Sequence, residues 1–199
     1  MLVENIKYTF TQTDVKVFTL WGSSTENAKN RSKDELDFLM NMYKLLDDEL
    51  DKALLENKIN FRWVGDPDGI SDWFKQYLEE KTQMTKCDSD RFLVFAIHYW
   101  WRDEIIKWIK KMSNQNYNFS SITEEDLWKN LWFGDLPPIE LVIRTKWNYA
   151  QRTSWFMSWW IGYAELYFTE KKSPEFNPDD LKQALNWFDD MSNFRNFGK

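Results

Sequence analysis

The chain has 199 residues, a length that suits one domain with a sizeable hydrophobic core. Its formal net charge of −6 gives it no overall basic character, so we expect no nucleic-acid partner. A single cysteine and a single histidine exclude an internal disulfide, a cysteine metal cluster and a histidine-rich metal site, and they fit a reducing compartment.

Apolar residues at helical spacing predict helices, and short β-branched or aromatic runs predict strands. In chain order, the predicted elements are a helix over residues 2–12, a strand over 15–21, a helix over 33–57, a strand over 59–64, a helix over 70–84, a strand over 91–98, a helix over 101–112, a helix from a capping box at Thr123 to Trp132, a strand over 139–144, a strand over 163–169 and a helix over 178–192. This alternation predicts an α/β fold with a mostly parallel central sheet flanked by helices, in a single domain over residues 1–199.

Polar segments follow four of the predicted strands. They lie at 24–27, 65–66, 98–102 and 144–154. Ligands of open parallel sheets bind at the carboxyl ends of the strands, so these segments are candidates for one binding site.

The last of these segments has the residue types of a diphosphate clamp. Arg144 ends a strand, and Arg152 and Ser154 follow in the next loop. The planar fork of an arginine suits phosphate oxygens, and the carboxylate of Glu165 further along could hold Mg²⁺ against the same group. The alternative is a surface ion-pair cluster beside a buried strand.

Five segments together resemble one protein family in order and in approximate spacing. They are LWGSSTEN at 20–27, RWVGD at 62–66, AIHYWWRDEI at 96–105, LPPIELVIRT at 136–145 and YAELYFT at 163–169. They resemble the LYAFSTEN, RxxGD, ALNYGGRxEI, LPDPDLLIRT and YAELYFT segments of the cis-prenyltransferases, whose best-known member is undecaprenyl diphosphate synthase.

The resemblance implies a role for each candidate residue. Arg144, Arg152 and Ser154 would hold the diphosphate of isopentenyl diphosphate, and Glu165 would help to place Mg²⁺. Earlier in the chain, Ser24 and Asn27 would face the reacting centre, and Arg31 would contribute to diphosphate binding. The long helix over residues 33–57 and the apolar strand faces would line a tunnel for the growing chain.

The resemblance also implies a cytoplasmic protein that forms a homodimer, or a heteromer with a second cis-prenyltransferase subunit, and that contacts a membrane peripherally. The expected function is to bind isopentenyl or prenyl diphosphate as a subunit or divergent member of a polyprenyl diphosphate synthase. Such a synthase condenses isopentenyl diphosphate onto an allylic diphosphate.

The sequence departs from the family pattern at several places. The family begins with a strand that ends in a D-G-N-G-R loop, and we expect this chain to start beyond that loop. Within the matched segments, Trp100 and Trp101 replace two glycines and His98 replaces an asparagine. These departures leave three alternatives open. The chain is one subunit of a heteromeric enzyme, or a divergent prenyl-diphosphate enzyme with altered chemistry. In the third alternative, it is a non-catalytic partner or scaffold subunit, or an incomplete chain whose start lies upstream.

Overall fold

A computed structural model describes residues 1–45, 47–115, 117–146, 152–154 and 156–191. The helices are α1 (Leu2–Gln12), α2 (Thr25–Lys29), α3 (Lys33–Lys44), α4 (Asp47–Glu56), α5 (Asp72–Met84), α6 (Trp101–Asn114), α7 (Glu124–Asn130) and α8 (Pro178–Asp190). The strands are β1 (Val17–Trp21), β2 (Asn60–Val64), β3 (Phe92–Ala96), β4 (Leu141–Arg144) and β5 (Glu165–Phe168). Backbone contacts divide the chain into two units, one of residues 14–137 and the other of residues 1–13 with 138–199.

The unit of residues 14–137 contains a parallel sheet in the order β1-β3-β2. The central strand β3 has the sequence FLVFA, and its last four residues are buried. A nearly continuous apolar run of this kind is typical of a strand that is covered on both faces. Within the core, Phe61 of β2 and Phe95 of β3 meet edge to face with ring centroids 5.1 Å apart.

A buried ion pair joins α4 to α5 in the same unit. Lys81 of α5 is 4% exposed, and its ammonium lies 3.0 Å from a carboxylate oxygen of Asp47 and also contacts Asp51. Tyr77, one turn before Lys81, donates its hydroxyl hydrogen to Asp47. Burial raises the pKa of Tyr77, and the hydrogen bond to the negative Asp47 raises it further.

The other unit contains β4 and β5 as a parallel pair, with Leu141 opposite Glu165 and Arg144 opposite Phe168. The buried Asn5 of α1 donates its side-chain N–H to the backbone carbonyl of Phe176 at 2.7 Å, just before α8. Helix α8 begins with an Asn177 cap followed by proline, a strong signal for a helix start.

These elements confirm the predicted α/β class with parallel strands flanked by helices. The strands form two parallel sheets, one in each unit. The prediction of a single domain stays a prediction. No helix in the described ranges is long and apolar enough to cross a membrane.

Two predicted segments differ from the structure. The helix predicted over 33–57 is two helices, and Leu45 at the end of the first is 83% exposed. Three acidic residues occupy the first turn of α4, where the helix dipole favours negative charge, so a second helix start lies within the predicted helix. The segment at 24–27, predicted as a loop, lies mostly within the five-residue helix α2, which is too short to give a periodic signal.

Candidate functional site

The carboxyl end of β4 brings two of the predicted diphosphate-binding residues together. Arg144 is the last residue of the strand, and its Nη2 donates a hydrogen bond to Ser154 Oγ at 3.3 Å. Both side chains are partly buried. A guanidinium anchored on a strand and a hydroxyl beside it form a small set of donors suited to an anionic oxygen.

The loop that carries Ser154 has unusual backbone geometry. Ser154 has a φ of 52°, and the nearby Lys146 and Met157 have φ values of 56° and 50°. Residues with side chains seldom adopt this left-handed conformation, and the strain is often found at functional sites. The backbone therefore holds Ser154 against Arg144 at some cost in stability. Residues 147–151, between Lys146 and Arg152, lie outside the described part of the chain.

Replacing Ser154 with glycine is expected to increase stability and to weaken the binding of a diphosphate. Glycine adopts a positive φ freely, so the free energy of unfolding should rise by about 0.5–1 kcal/mol. Loss of the hydroxyl should weaken the binding of a diphosphate ligand by roughly fivefold. Urea denaturation and isothermal titration with isopentenyl diphosphate measure the two effects. A variant that loses both stability and affinity would contradict this account of the loop.

The other two residues predicted in this unit are placed differently. Arg152 is exposed, close in sequence to Ser154. Glu165 is the first residue of β5 and lies opposite Leu141. Leu141 is three residues before Arg144 in β4, so the backbone of Glu165 lies about 10 Å from that of Arg144 along the strand direction. The structure therefore brings together Arg144 and Ser154, while Glu165 lies towards the opposite end of the strand pair.

The described residues form no metal cage of their own, since no group of three or more histidine, cysteine, aspartate or glutamate side chains is placed to hold a metal ion. Mg²⁺ commonly uses only one or two carboxylates together with substrate phosphates.

The remaining predicted residues lie in the unit of residues 14–137. Ser24 is 2% exposed just before α2, and its backbone carbonyl accepts the N–H of Ala28 at 3.1 Å. Asn27 lies within α2, and its side chain is outside the described part of the structure. Arg31 follows the helix and forms an ion pair with Glu35, with 3.1 Å between Nε and Oε1.

Backbone hydrogen bonds of His98 link the segments that follow the three strands of this unit. The His98 N–H donates to Ser23 Oγ at 2.9 Å, and the His98 carbonyl accepts the N–H of Asp66 at 3.1 Å. Gly65 has a φ of 149°, and a β-carbon there would overlap the Ile97 carbonyl oxygen. The absence of a side chain at Gly65 therefore permits the ends of β2 and β3 to approach closely.

His98 was predicted only as part of the polar segment 98–102, and no role was assigned to it. The sequence signal was weak, since it is a lone histidine after a strand with no nucleophile motif nearby. It has a φ of 53°, and its imidazole packs so closely on Gly69 that a β-carbon there would overlap the ring.

Charged groups surround this histidine. Burial lowers the pKa of His98 below its ordinary value, although the negative Asp66 and Asp103 oppose the change. Partial burial is the largest single influence on Asp66 and acts to raise its pKa. The hydrogen bonds from Lys107 and from the Asp68 N–H, together with the positive charge of Lys107, outweigh it, so the pKa lies below its ordinary value. At neutral pH, His98 is therefore neutral and Asp66 is charged.

We expect the free energy of unfolding to fall as the pH is lowered through the range in which histidine titrates. The unfolded chain should bind a proton at His98 with a pKa of about 6.5, whereas the folded pKa is lower. The contribution of neutral His98 is therefore complete above about pH 6.5 and is lost below it. Urea denaturation at several pH values measures this slope. The matched variant His98→Asn, which tolerates a positive φ, should have a flatter profile, and an equal slope in both proteins would contradict the assignment.

Comparisons with known proteins give a consistent result. A sequence model of the family described as "Putative undecaprenyl diphosphate synthase" matches residues 2–198. The ditrans,polycis-undecaprenyl-diphosphate synthase ((2E,6E)-farnesyl-diphosphate specific) of Vibrio vulnificus is 30% identical over 190 residues, which cover 93% of this chain and 73% of that protein. An isoprenyl transferase of Oceanobacillus iheyensis is 34% identical over 187 residues, covering 92% and 73% of the two chains.

Two solved structures are similar to this chain in fold. Lavandulyl diphosphate synthase from Lavandula x intermedia, in complex with dimethylallyl diphosphate, has a TM-score of 0.86 and 26% identity, covering 99% of this chain and 86% of that one. A probable undecaprenyl diphosphate synthase from Campylobacter jejuni has a TM-score of 0.80 and 29% identity, covering 98% and 90%.

Proposed function

Because the chain belongs to the undecaprenyl diphosphate synthase family, we propose that it binds isopentenyl diphosphate and condenses it onto an allylic diphosphate as part of a polyprenyl diphosphate synthase. The observation that carries the proposal is the contact between Arg144 and Ser154 at the end of β4. The two side chains present hydrogen-bond donors from partly buried positions, as a diphosphate site requires.

The proposed chemical role of this pair is to bind and orient. The Arg144 guanidinium and the Ser154 hydroxyl donate to diphosphate oxygens, and the exposed Arg152 adds a second positive charge from the same loop. Because the strand and the strained loop fix Arg144 and Ser154 beforehand, little reorganisation is needed when the ligand binds.

The proposal assigns Ser24 and Asn27 to the reacting centre and Arg31 to a diphosphate. The ion pair between Arg31 and Glu35 does not oppose this role, since the two side chains are 32% and 53% exposed. Exposed pairs of this kind contribute only about 0–1 kcal/mol, so a diphosphate can replace the carboxylate of Glu35.

We propose Mg²⁺ as the cofactor, with Glu165 as its protein ligand and diphosphate oxygens as the others. When bound, the ion would neutralise charge on the diphosphate. The Glu165→Gln variant and chelation of the metal test this part of the proposal in a chain-elongation assay.

A second candidate function is that of a partner subunit, in a homodimer or a heteromer. The unit of residues 1–13 with 138–199 exposes large apolar side chains that a partner could cover. Tyr163 is 84% exposed, and Trp159 and Leu166 are each 39% exposed. Large exposed apolar side chains that lie close together can mark a protein interface. For both candidate functions, we propose a cytoplasmic location with peripheral contact to a membrane.

The decisive assay measures chain elongation from radiolabelled isopentenyl diphosphate with an allylic diphosphate such as farnesyl or dimethylallyl diphosphate. Labelled polyprenyl product from the chain alone would support an autonomous enzyme. Product that forms only with a co-expressed second subunit would support the subunit function. If neither preparation forms product, the condensation proposal fails. If the second subunit is then also less stable without this chain, the scaffold alternative is favoured.

A further inference from the structure

A cavity of about 430 Å³ lies within unit 14–137, between the carboxyl end of β2, α5 and α6. We call it the α5–α6 cavity. Its wall consists of Trp63, Val64, Gly65, Pro67, Lys75, Glu79, Glu104, Lys107, Trp108, Lys111, Asn130 and Trp132. This volume falls in the range of small-molecule sites, and no residue of the wall belongs to the predicted diphosphate site.

Two lysines face the cavity from different helices without an ion-pair partner among the described residues. They are Lys75 of α5 and Lys111 of α6. Glu79 is one turn after Lys75, at a spacing that often forms a salt bridge, yet none forms here. Lys107, by contrast, is paired with Asp66. Positive charge is therefore available at the cavity from both helices.

The buried carboxylate in the wall forms no ion pair with either of these lysines. Glu104 is 2% exposed and accepts hydrogen bonds from Tyr99 Oη at 2.8 Å and from the Trp132 backbone N–H at 2.6 Å. These two hydrogen bonds hold the carboxylate between the Tyr99 hydroxyl and the backbone at Trp132. Glu79, the other acidic residue of the wall, is exposed to solvent, as Lys111 is, so solvent screens both of these charges, whereas Lys75 is partly buried.

Indole side chains supply the apolar part of the wall. Trp63 comes from β2, Trp108 from α6 and Trp132 from the segment after α7. Flat aromatic walls bind flat or apolar groups, and a nearby cation adds attraction for an anionic substituent. The combination of indoles and lysines therefore selects for a ligand with one apolar part and one negative part.

We propose that the α5–α6 cavity binds a small organic anion, in which a phosphate or carboxylate is carried on a flat apolar body. The anionic group lies between Lys75 and Lys111, and the body packs against the indoles. The proposal does not rest on the proposed function, since it uses no residue of the predicted diphosphate site.

Isothermal titration of the full chain with phenyl phosphate and with benzoate tests the proposal and distinguishes the two anionic groups. We expect saturable binding of at least one of them. Benzyl alcohol and inorganic phosphate, which each lack one part, should bind at least about tenfold more weakly. The affinity of the anion should also decrease as salt is added.

The double variant Lys75→Ala/Lys111→Ala should bind the anion about tenfold more weakly or worse. The control is Lys52→Ala/Lys110→Ala, which removes the same charge from α4 and α6 at positions outside the cavity wall. If the alanine double variant is unfolded by circular dichroism, Lys75→Gln/Lys111→Gln replaces it. No saturable binding by the folded wild type, unchanged affinity in the cavity variant, or an equal loss in the control would overturn the proposal.

Discussion

Replacement of Arg144 by alanine is expected to lower the affinity for isopentenyl diphosphate about 100-fold. The guanidinium is the partly buried charge at the end of β4, and a charge-assisted hydrogen bond to a phosphate contributes about 1.5–3 kcal/mol, with the lost long-range attraction in addition. Arg144→Lys should recover only part of the loss, because an ammonium keeps the charge without the planar fork. Isothermal titration measures each affinity.

The matched control is Arg91→Ala. Arg91 immediately precedes β3, at the amino end of that strand, where ligands of parallel sheets are not expected. This variant should bind isopentenyl diphosphate within about twofold of the wild type, since Arg91 lies at the end of its strand where no ligand is expected. If both variants lose affinity equally, the effect is general electrostatics and Arg144 has no specific role.

Replacement of Lys81 by alanine should lower the free energy of unfolding by about 3 kcal/mol, a large fraction of the stability of a typical domain. The variant leaves Asp47 and Asp51 facing each other between α4 and α5 without their shared cation. Breaking a buried ion pair costs about 3–5 kcal/mol, and the lower value applies because the two aspartate side chains are 28% and 29% exposed. Urea denaturation at neutral pH measures the change.

Two variants make this test specific. Lys52→Ala removes a lysine from α4 that is 70% exposed and lies 3.9 Å from Glu56, so it should change stability by less than about 0.5 kcal/mol. Lys81→Met keeps the buried methylene packing but not the charge, and it should remain nearly as unstable as Lys81→Ala. Recovery of wild-type stability in Lys81→Met would show that packing, and not the ion pair, holds α4 against α5.

Local signals were sufficient to predict most of the fold. The FLVFA run predicted β3 because a strand that is covered on both faces excludes polar side chains along its length. Pro178 predicted the start of α8, since a proline in the first turn lacks the N–H that would be left unpaired there. The structure adds a cap at Asn177, whose side chain accepts from the N–H groups of Asp179 and Asp180. Arg144 was placed at a strand end by the apolar run that precedes it.

Features that depend on distant contacts could not be predicted in this way. The positive φ of Ser154 is imposed by surroundings that no local pattern records, since serine has no preference for that conformation. His98 acquires its importance from Ser23, Asp66 and Gly69, which are far from it in the sequence. The α5–α6 cavity likewise depends on the helices and the strand that enclose it.

The most direct test of the account is a crystal structure of the chain with isopentenyl diphosphate and Mg²⁺. We predict that diphosphate oxygens lie about 2.7–3.2 Å from Arg144 Nη2 and from Ser154 Oγ, at the end of β4. A diphosphate bound elsewhere on the molecule, with Arg144 still donating to Ser154 and no ligand beside it, would contradict the central claim.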